Sequence, residues 1–240
     1  MGAEGLIIDW TQNATYNTIM AVSAGVALIS LALAGKRLVQ NKAANPKGWA
    51  LNFGVLGLIL TITGTHFTLA WPLADFPYDN IIFGEPSLLF GVILLALSLY
   101  FWQNSERLTQ SENPLQLIAK HFRAFSILLY AITLIMIAIF FAGVIFQFFA
   151  APPEEPITGY FSQWPWLEAW VLSLIYLIVG LASLLTANGL KRASQDKFII
   201  KAVDKINYLA FMISGWFFLI FGAYNYFTHI GLIIHTMPNS

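Results

Sequence analysis

Apolar residues run through this chain in blocks too long for the core of a soluble domain. Six of them, approximately 15–35, 50–71, 87–103, 124–150, 166–187 and 207–229, carry no charge at their centres. A helix needs roughly 20 such residues to cross the hydrocarbon of a bilayer. One run alone fits a buried soluble helix, but six in succession predict an all-α integral membrane protein. The expected architecture is a six-transmembrane-helix bundle, with residues 1–240 forming a single transmembrane domain.

The small and polar positions within the blocks predict how the helices meet. In the second span Gly54, Gly57, Thr61, Gly64 and Thr68 follow a 3-4-3-4 spacing and form one stripe. Small residues let membrane helices approach closely, so this stripe reads as a packing seam. In the sixth span Gly215, Gly222, Asn225 and His229 share a face, which puts the polar pair on a packing surface. His66 lies about half a turn around its helix from Gly57, away from the second span's seam.

Composition agrees: 58% of residues are hydrophobic and only 10% are charged, against roughly 25% charged in soluble domains. Mean hydropathy is +0.70. The absence of cysteine excludes disulfides, thiolate metal sites and nucleophilic thiols. Glu4 and Asp9 stand where a signal peptide would be basic.

The net charge of zero hides a segregation. All twelve Lys and Arg fall in alternate connections. Lys36, Arg37, Lys42 and Lys47 follow span one. Arg107, Lys120 and Arg123 follow span three. Lys191, Arg192, Lys197, Lys201 and Lys205 follow span five. The positive-inside rule makes that side cytoplasmic, giving an N-out, C-out topology with the 72–86 and 151–165 loops outside. Eight of the twelve carboxylates lie on that outer side. Residues 114–123 and 192–205 mix apolar and basic positions, a pattern that fits either a headgroup-level helix or a solvated loop.

Ionisable groups in or near a span are functional candidates by default, and each has a plainer reading. His66 is a candidate metal or haem ligand, or a histidine satisfied by a carbonyl. Glu85 precedes Pro86 and Glu168 follows Pro165, so each also fits a helix-start carboxylate. Asp79-Asn80 fits turn chemistry. His229 and Asn225 form an i, i+4 pair. Jointly, His66, Glu85, Glu168 and His229 bring polar groups to the outer end of four helices. A divalent metal on His66, Glu85 and His229, or a haem on the two histidines, follows as an expectation, although no H-x-x-E or H-E-x-x-H spacing supports it. The segment from His66 to Glu85, with Asn80 inside it, is rich in aromatic residues and proline. It is expected to fold back over the outer mouth.

The run "GTHFTLAWPLADFPYDNIIFGEPSLLFGVILL" resembles a family of bacterial and archaeal membrane proteins catalogued as domain of unknown function 981. The elements that carry the resemblance are His66, Trp71-Pro72-Leu73, Asn80, Phe83-Gly84-Glu85 and Gly91. It covers about 30 residues. It implies a multi-pass protein of the bacterial or archaeal cell membrane and no particular activity.

Three functions fit. The chain is a subunit of a larger membrane complex, docking through an aromatic surface of 20 Phe and 8 Trp. Alternatively it is a redox or metal-binding membrane enzyme, or a small transporter or channel. The partners expected are the lipid bilayer and other membrane subunits. Nothing points to nucleic acid, since topology accounts for the basic residues.

Overall fold

The computed structural model describes residues 6–14, 16–40, 45–195 and 201–237. The chain forms α1 (Asn17–Val39), α2 (Pro46–Ala70), α3 (Pro77–Gln103), α4 (Ser105–Gln110), α5 (Pro114–Phe122), α6 (Phe125–Phe146), a 3-10 turn (Thr158–Phe161), α7 (Pro165–Ser194) and α8 (Lys201–Thr236). The only extended pairing among the described residues is an isolated bridge between Asn13 and Leu73. Six helices, α1, α2, α3, α6, α7 and α8, are long and apolar enough to cross a membrane. Glu4, Lys42, Lys197 and residues 196–200 of the second amphipathic stretch lie outside the described residues.

Local chemistry sets many of the helix ends. Pro46, Pro77, Pro114 and Pro165 occupy first-turn positions, where a missing N–H costs nothing. The side chains of Asn45 and Asn113 accept the N–H groups of Gly48 and Gln116 and cap α2 and α5. Trp71 and Gln147 take left-handed backbone angles and end α2 and α6.

The third span departs from expectation. It begins at Pro77 rather than at residue 87, and Pro86 sits inside it. Glu85 is therefore not a helix cap. Only residues 71–76 connect α2 to α3, so the 66–85 segment does not fold over the mouth; its two ends belong to the helices. The reason is Asn80, which is 0% exposed. Its side chain accepts the Leu73 N–H and donates to the Leu73 and Pro77 carbonyls. Polar residues that read as a long loop instead fasten a short turn.

The spans pack chiefly as three pairs: α2 with α3, α1 with α8, and α6 with α7. The expected α2 stripe is the α2–α3 seam. A Cβ on Gly64 would lie 2.5 Å from the Leu88 nitrogen, and one on Gly91 would lie 2.6 Å from the Thr61 nitrogen. The α8 glycines pack on α1 in the same way: Gly25 and Gly215 interlock, with a Gly25 Cβ falling 2.3 Å from the Leu219 nitrogen. The main apolar core lies among α1, α2 and α3, around Met20, Ala27, Phe53, Leu60, Phe67 and Leu94. A smaller cluster of Ile82, Met136 and Tyr176 joins α3 to α6 and α7. The outward faces are apolar, as Ile127, Leu134, Phe141 and Ile145 of α6 illustrate.

At one end of the bundle the basic residues meet aromatic rings across helix pairs. Lys36 lies over Tyr208, Lys47 over Trp102 and Lys191 over Tyr130. Residues 114–122 form a helix, α5, rather than a loop. α5 buries Ile118 and Phe122 in a cluster with Leu38, Ala50, Phe101 and Leu108 and closes this end from within.

Candidate functional site

Between α1, α3, α6, α7 and α8 the packing leaves a cavity of about 850 Å³. Its walls are mostly apolar, with Leu28, Phe90, Leu97, Met136 and Val179 among them. One end, the basic end of the bundle, reaches Lys36, Asp204 and Lys205, and the opposite end holds Asp79, Glu155, Glu168, Asn225 and His229.

The residues expected to form a site divide into two groups. Glu168, Asn225 and His229 line the cavity, whereas His66, Glu85 and Asn80 do not. His66 is exposed on the side of α2 and hydrogen-bonds through Nδ1 to the Tyr16 hydroxyl. Glu85 is exposed on α3, and Asn80 belongs to the turn. Among the described residues, no three His, Asp or Glu side chains form a group able to hold a metal ion. The trio of His66, Glu85 and His229 is therefore not assembled.

The 147–164 connection covers the cavity in place of the 66–85 segment. Gln147 turns the chain sharply after α6, and Phe148 and Phe149 drop into the cavity wall. The Glu168 carboxylate then accepts the Ala151 N–H at 2.7 Å, tying the loop to the first turn of α7. The Leu6 N–H donates to Glu154, and His235 bonds the Glu154 carbonyl. Pro156 sits against Gly231 of α8, where a Cβ would lie 2.2 Å away. Ile157 has φ 67 and ψ −59, a tight turn that is rare and strained for a β-branched residue. Such strain persists only where the surroundings enforce it, often at functional sites.

These anchors turn Glu155 inward. Burial pushes its carboxyl up from the ordinary range, and the hydroxyls of Thr228 and Thr158 pull it down by less. The Thr228 hydroxyl lies close enough to favour the Glu155 charge, yet it completes no well-formed hydrogen bond. His229 Nδ1 and Asn17 Oδ1 are likewise buried without partners, and both residues line the cavity. Buried polar atoms are nearly always paired, so the orphans on Asn17 and His229 single out this cavity as the candidate site.

Sequence reasoning missed Glu155 as a site residue and read Asp79 only as turn chemistry. A signal existed. Residues 148–157, FFAAPPEEPI, are as apolar and proline-rich as the segment chosen for the lid, and that argument applies to them equally.

A family model described as a protein of unknown function (DUF981) matches residues 13–231. The match extends far beyond the 30-residue run that carried the resemblance, and it takes in the covering loop and nearly all of α8. No curated protein and no solved structure matches the chain.

Proposed function

Since the chain belongs to the DUF981 family, for which no activity is defined, we propose from its own residues that it is a membrane-embedded binding protein for an amphiphile drawn from the bilayer. The carrying observation is the cavity. It is about 850 Å³, within the range of small-molecule sites, apolar along its length and polar at the outer end. Apolar walls match a hydrocarbon body and the polar end matches a head group. Of the three expected classes this reading is nearest to a small transporter. The subunit reading draws on exposed aromatic residues, which a lipid-facing surface also explains, and the metal reading loses its three-residue cluster.

Orientation is part of the proposal. The basic end of the bundle faces the cytoplasm of a bacterial or archaeal cell, and both termini with the 147–164 connection lie outside. A membrane-impermeant thiol reagent applied to intact cells is expected to label Glu154→Cys and to spare Lys191→Cys. The reverse pattern overturns the orientation.

The binding reading is tested by extracting the purified protein with organic solvent and identifying what accompanies it by mass spectrometry. Wild type is expected to yield one amphiphile at a fixed ratio to protein. Ala24→Phe, which fills the cavity wall, is expected to lose it while remaining folded. A wild-type extract that only mirrors bulk membrane lipid, unchanged in the variant, overturns the reading.

A further inference from the structure

The outer end of the cavity has a chemistry of its own, and it narrows the ligand class. Asp79, Glu155 and Glu168 all line it. Glu155 and Glu168 lie within electrostatic range of each other, and Asp79 within range of Tyr176. Among the described residues no lysine or arginine pairs with any of the three, because the basic side chains there lie at the inner ends of the helices. An uncompensated carboxylate in an apolar surrounding is costly, three on one cavity repel an anion, and Glu155 and Glu168 also repel each other.

Aromatic rings form another part of the cavity wall. Tyr78 packs on Phe148 at 5.4 Å, Phe148 on Phe149 at 4.6 Å, and Phe149 stacks on Tyr176 at 5.5 Å between ring centres. All four line the cavity. The negative face of such rings attracts a cation, and rings joined with carboxylates are the usual means of holding an ammonium group whose methyls cannot hydrogen-bond.

A separate observation places a ligand here. Asn225 is 8% exposed, lines the cavity and has no side-chain hydrogen bond. Neither the carboxylates nor the rings account for it.

We infer that the cavity selects an amphiphile with a cationic, ammonium-type head, seated among Glu155, Glu168, Asp79 and the Phe148–Phe149–Tyr176 wall, with its apolar tail running inward between α1, α3 and α6. The inference rests on the binding reading above and adds the sign of the head group. A bare metal ion fits poorly, since among the described residues no three His, Asp or Glu form a cluster, and Phe148 and Phe149 bring no ligand atoms to the wall. Two sources share this chemistry: a free lipophilic ammonium ion, and a phospholipid with a choline head, in which a phosphate accompanies the ammonium.

The test uses the full chain in nanodiscs, with spin-labelled hexadecyl probes that differ only in head group: trimethylammonium, sulfate and alcohol. The immobilised fraction is read by electron paramagnetic resonance. Wild type is expected to hold the trimethylammonium probe about tenfold more tightly than the alcohol, a difference of roughly 1.4 kcal/mol, and to exclude the sulfate. The double variant Glu155→Gln, Glu168→Gln is expected to hold trimethylammonium and alcohol equally. Its retained alcohol binding shows that the cavity still folds. Glu85→Gln, outside the cavity, is expected to behave as wild type. Equal immobilisation of all heads by wild type, or preference for sulfate, overturns the cationic selection and leaves the binding reading standing. No immobilisation of any probe overturns both. A spin-labelled phosphatidylcholine separates the sources: its capture alongside trimethylammonium supports the inference and assigns a lipid, and its exclusion supports the inference and assigns a free cation.

Discussion

The α2–α3 hairpin and the space enclosed by α1, α3, α6, α7 and α8 are opposite solutions to helix packing in one bundle. Along the hairpin, Gly64 and Gly91 bring two backbones together so closely that no side chain fits between them. Around the cavity, bulky residues such as Phe90, Phe125 and Met136 hold helices apart. Without a hydrophobic force between helices in lipid, close contact is the main source of stability. The hairpin is therefore the rigid half, and the other half, although α1 and α8 interlock within it, supplies room between its helix pairs. The motif most readable in the sequence belongs to the rigid half. His66 and Glu85, its most chemically suggestive residues, lie on its exposed sides and not at the site.

Four substitutions can break or sharpen that contrast. The largest effect is expected from Gly64→Leu, whose side chain must enter the Leu88 backbone; overpacking of this kind is expected to cost about 3 kcal/mol. Thermal unfolding in detergent checks it. A fully stable Gly64→Leu alongside an unfolded Ala24→Phe would invert the assignment of rigid and open halves.

Second is Glu168→Ala, which frees the Ala151 N–H and unties the covering loop. Losing a charge-assisted hydrogen bond is expected to cost about 1.5 kcal/mol. The loop between α6 and α7 should then exchange amide hydrogen faster and be cleaved more readily by protease, with α2 and α3 unchanged. Equal loosening of α2 and α3 would mean that the two halves are not separable.

Third is Glu155→Gln. The wild-type carboxyl is raised above its ordinary value of 4.5 in the folded state, so the fold binds its proton more tightly than the unfolded chain does. That contribution favours folding at low pH and is lost as pH rises from about 4.5 through the raised value. The glutamine variant should thus be more stable than wild type at neutral pH and lack that part of the pH dependence. Melting temperatures between pH 4 and 8 decide it, and parallel curves would refute the burial of this carboxyl. Fourth and smallest is Glu85→Gln, expected to stay within roughly 0.5 kcal/mol of wild type as an exposed change.

The six spans were legible because an apolar run long enough to cross a bilayer has few other fates. Their ends were less so. Pro86 looked like a helix start, but Pro77 took that role, and a proline within a membrane helix is tolerated where neighbours satisfy the freed carbonyl. The α2 stripe was legible because backbone approach leaves a trace in residue size. The candidate site was half legible. Glu168, Asn225 and His229, singled out as polar residues near the ends of spans, line the cavity. Glu155 escaped because its inward turn depends on contacts far off in sequence, from Leu6 to Glu154 and from Pro156 to Gly231. No local pattern encodes those.

The interlock of Gly25 with Gly215 also has a temporal side. It joins α1 to α8, two helices separated in sequence by all the others. In synthesis from the N-terminus, α1 enters the membrane well before its partner has been translated. That flank of α1 meets lipid tails until the final span arrives and displaces them. The cavity wall is thus completed last, and membrane amphiphiles have access to its interior throughout assembly. If the cavity holds an amphiphile as proposed, a first occupant has a route in during biogenesis, before any opening of the finished protein.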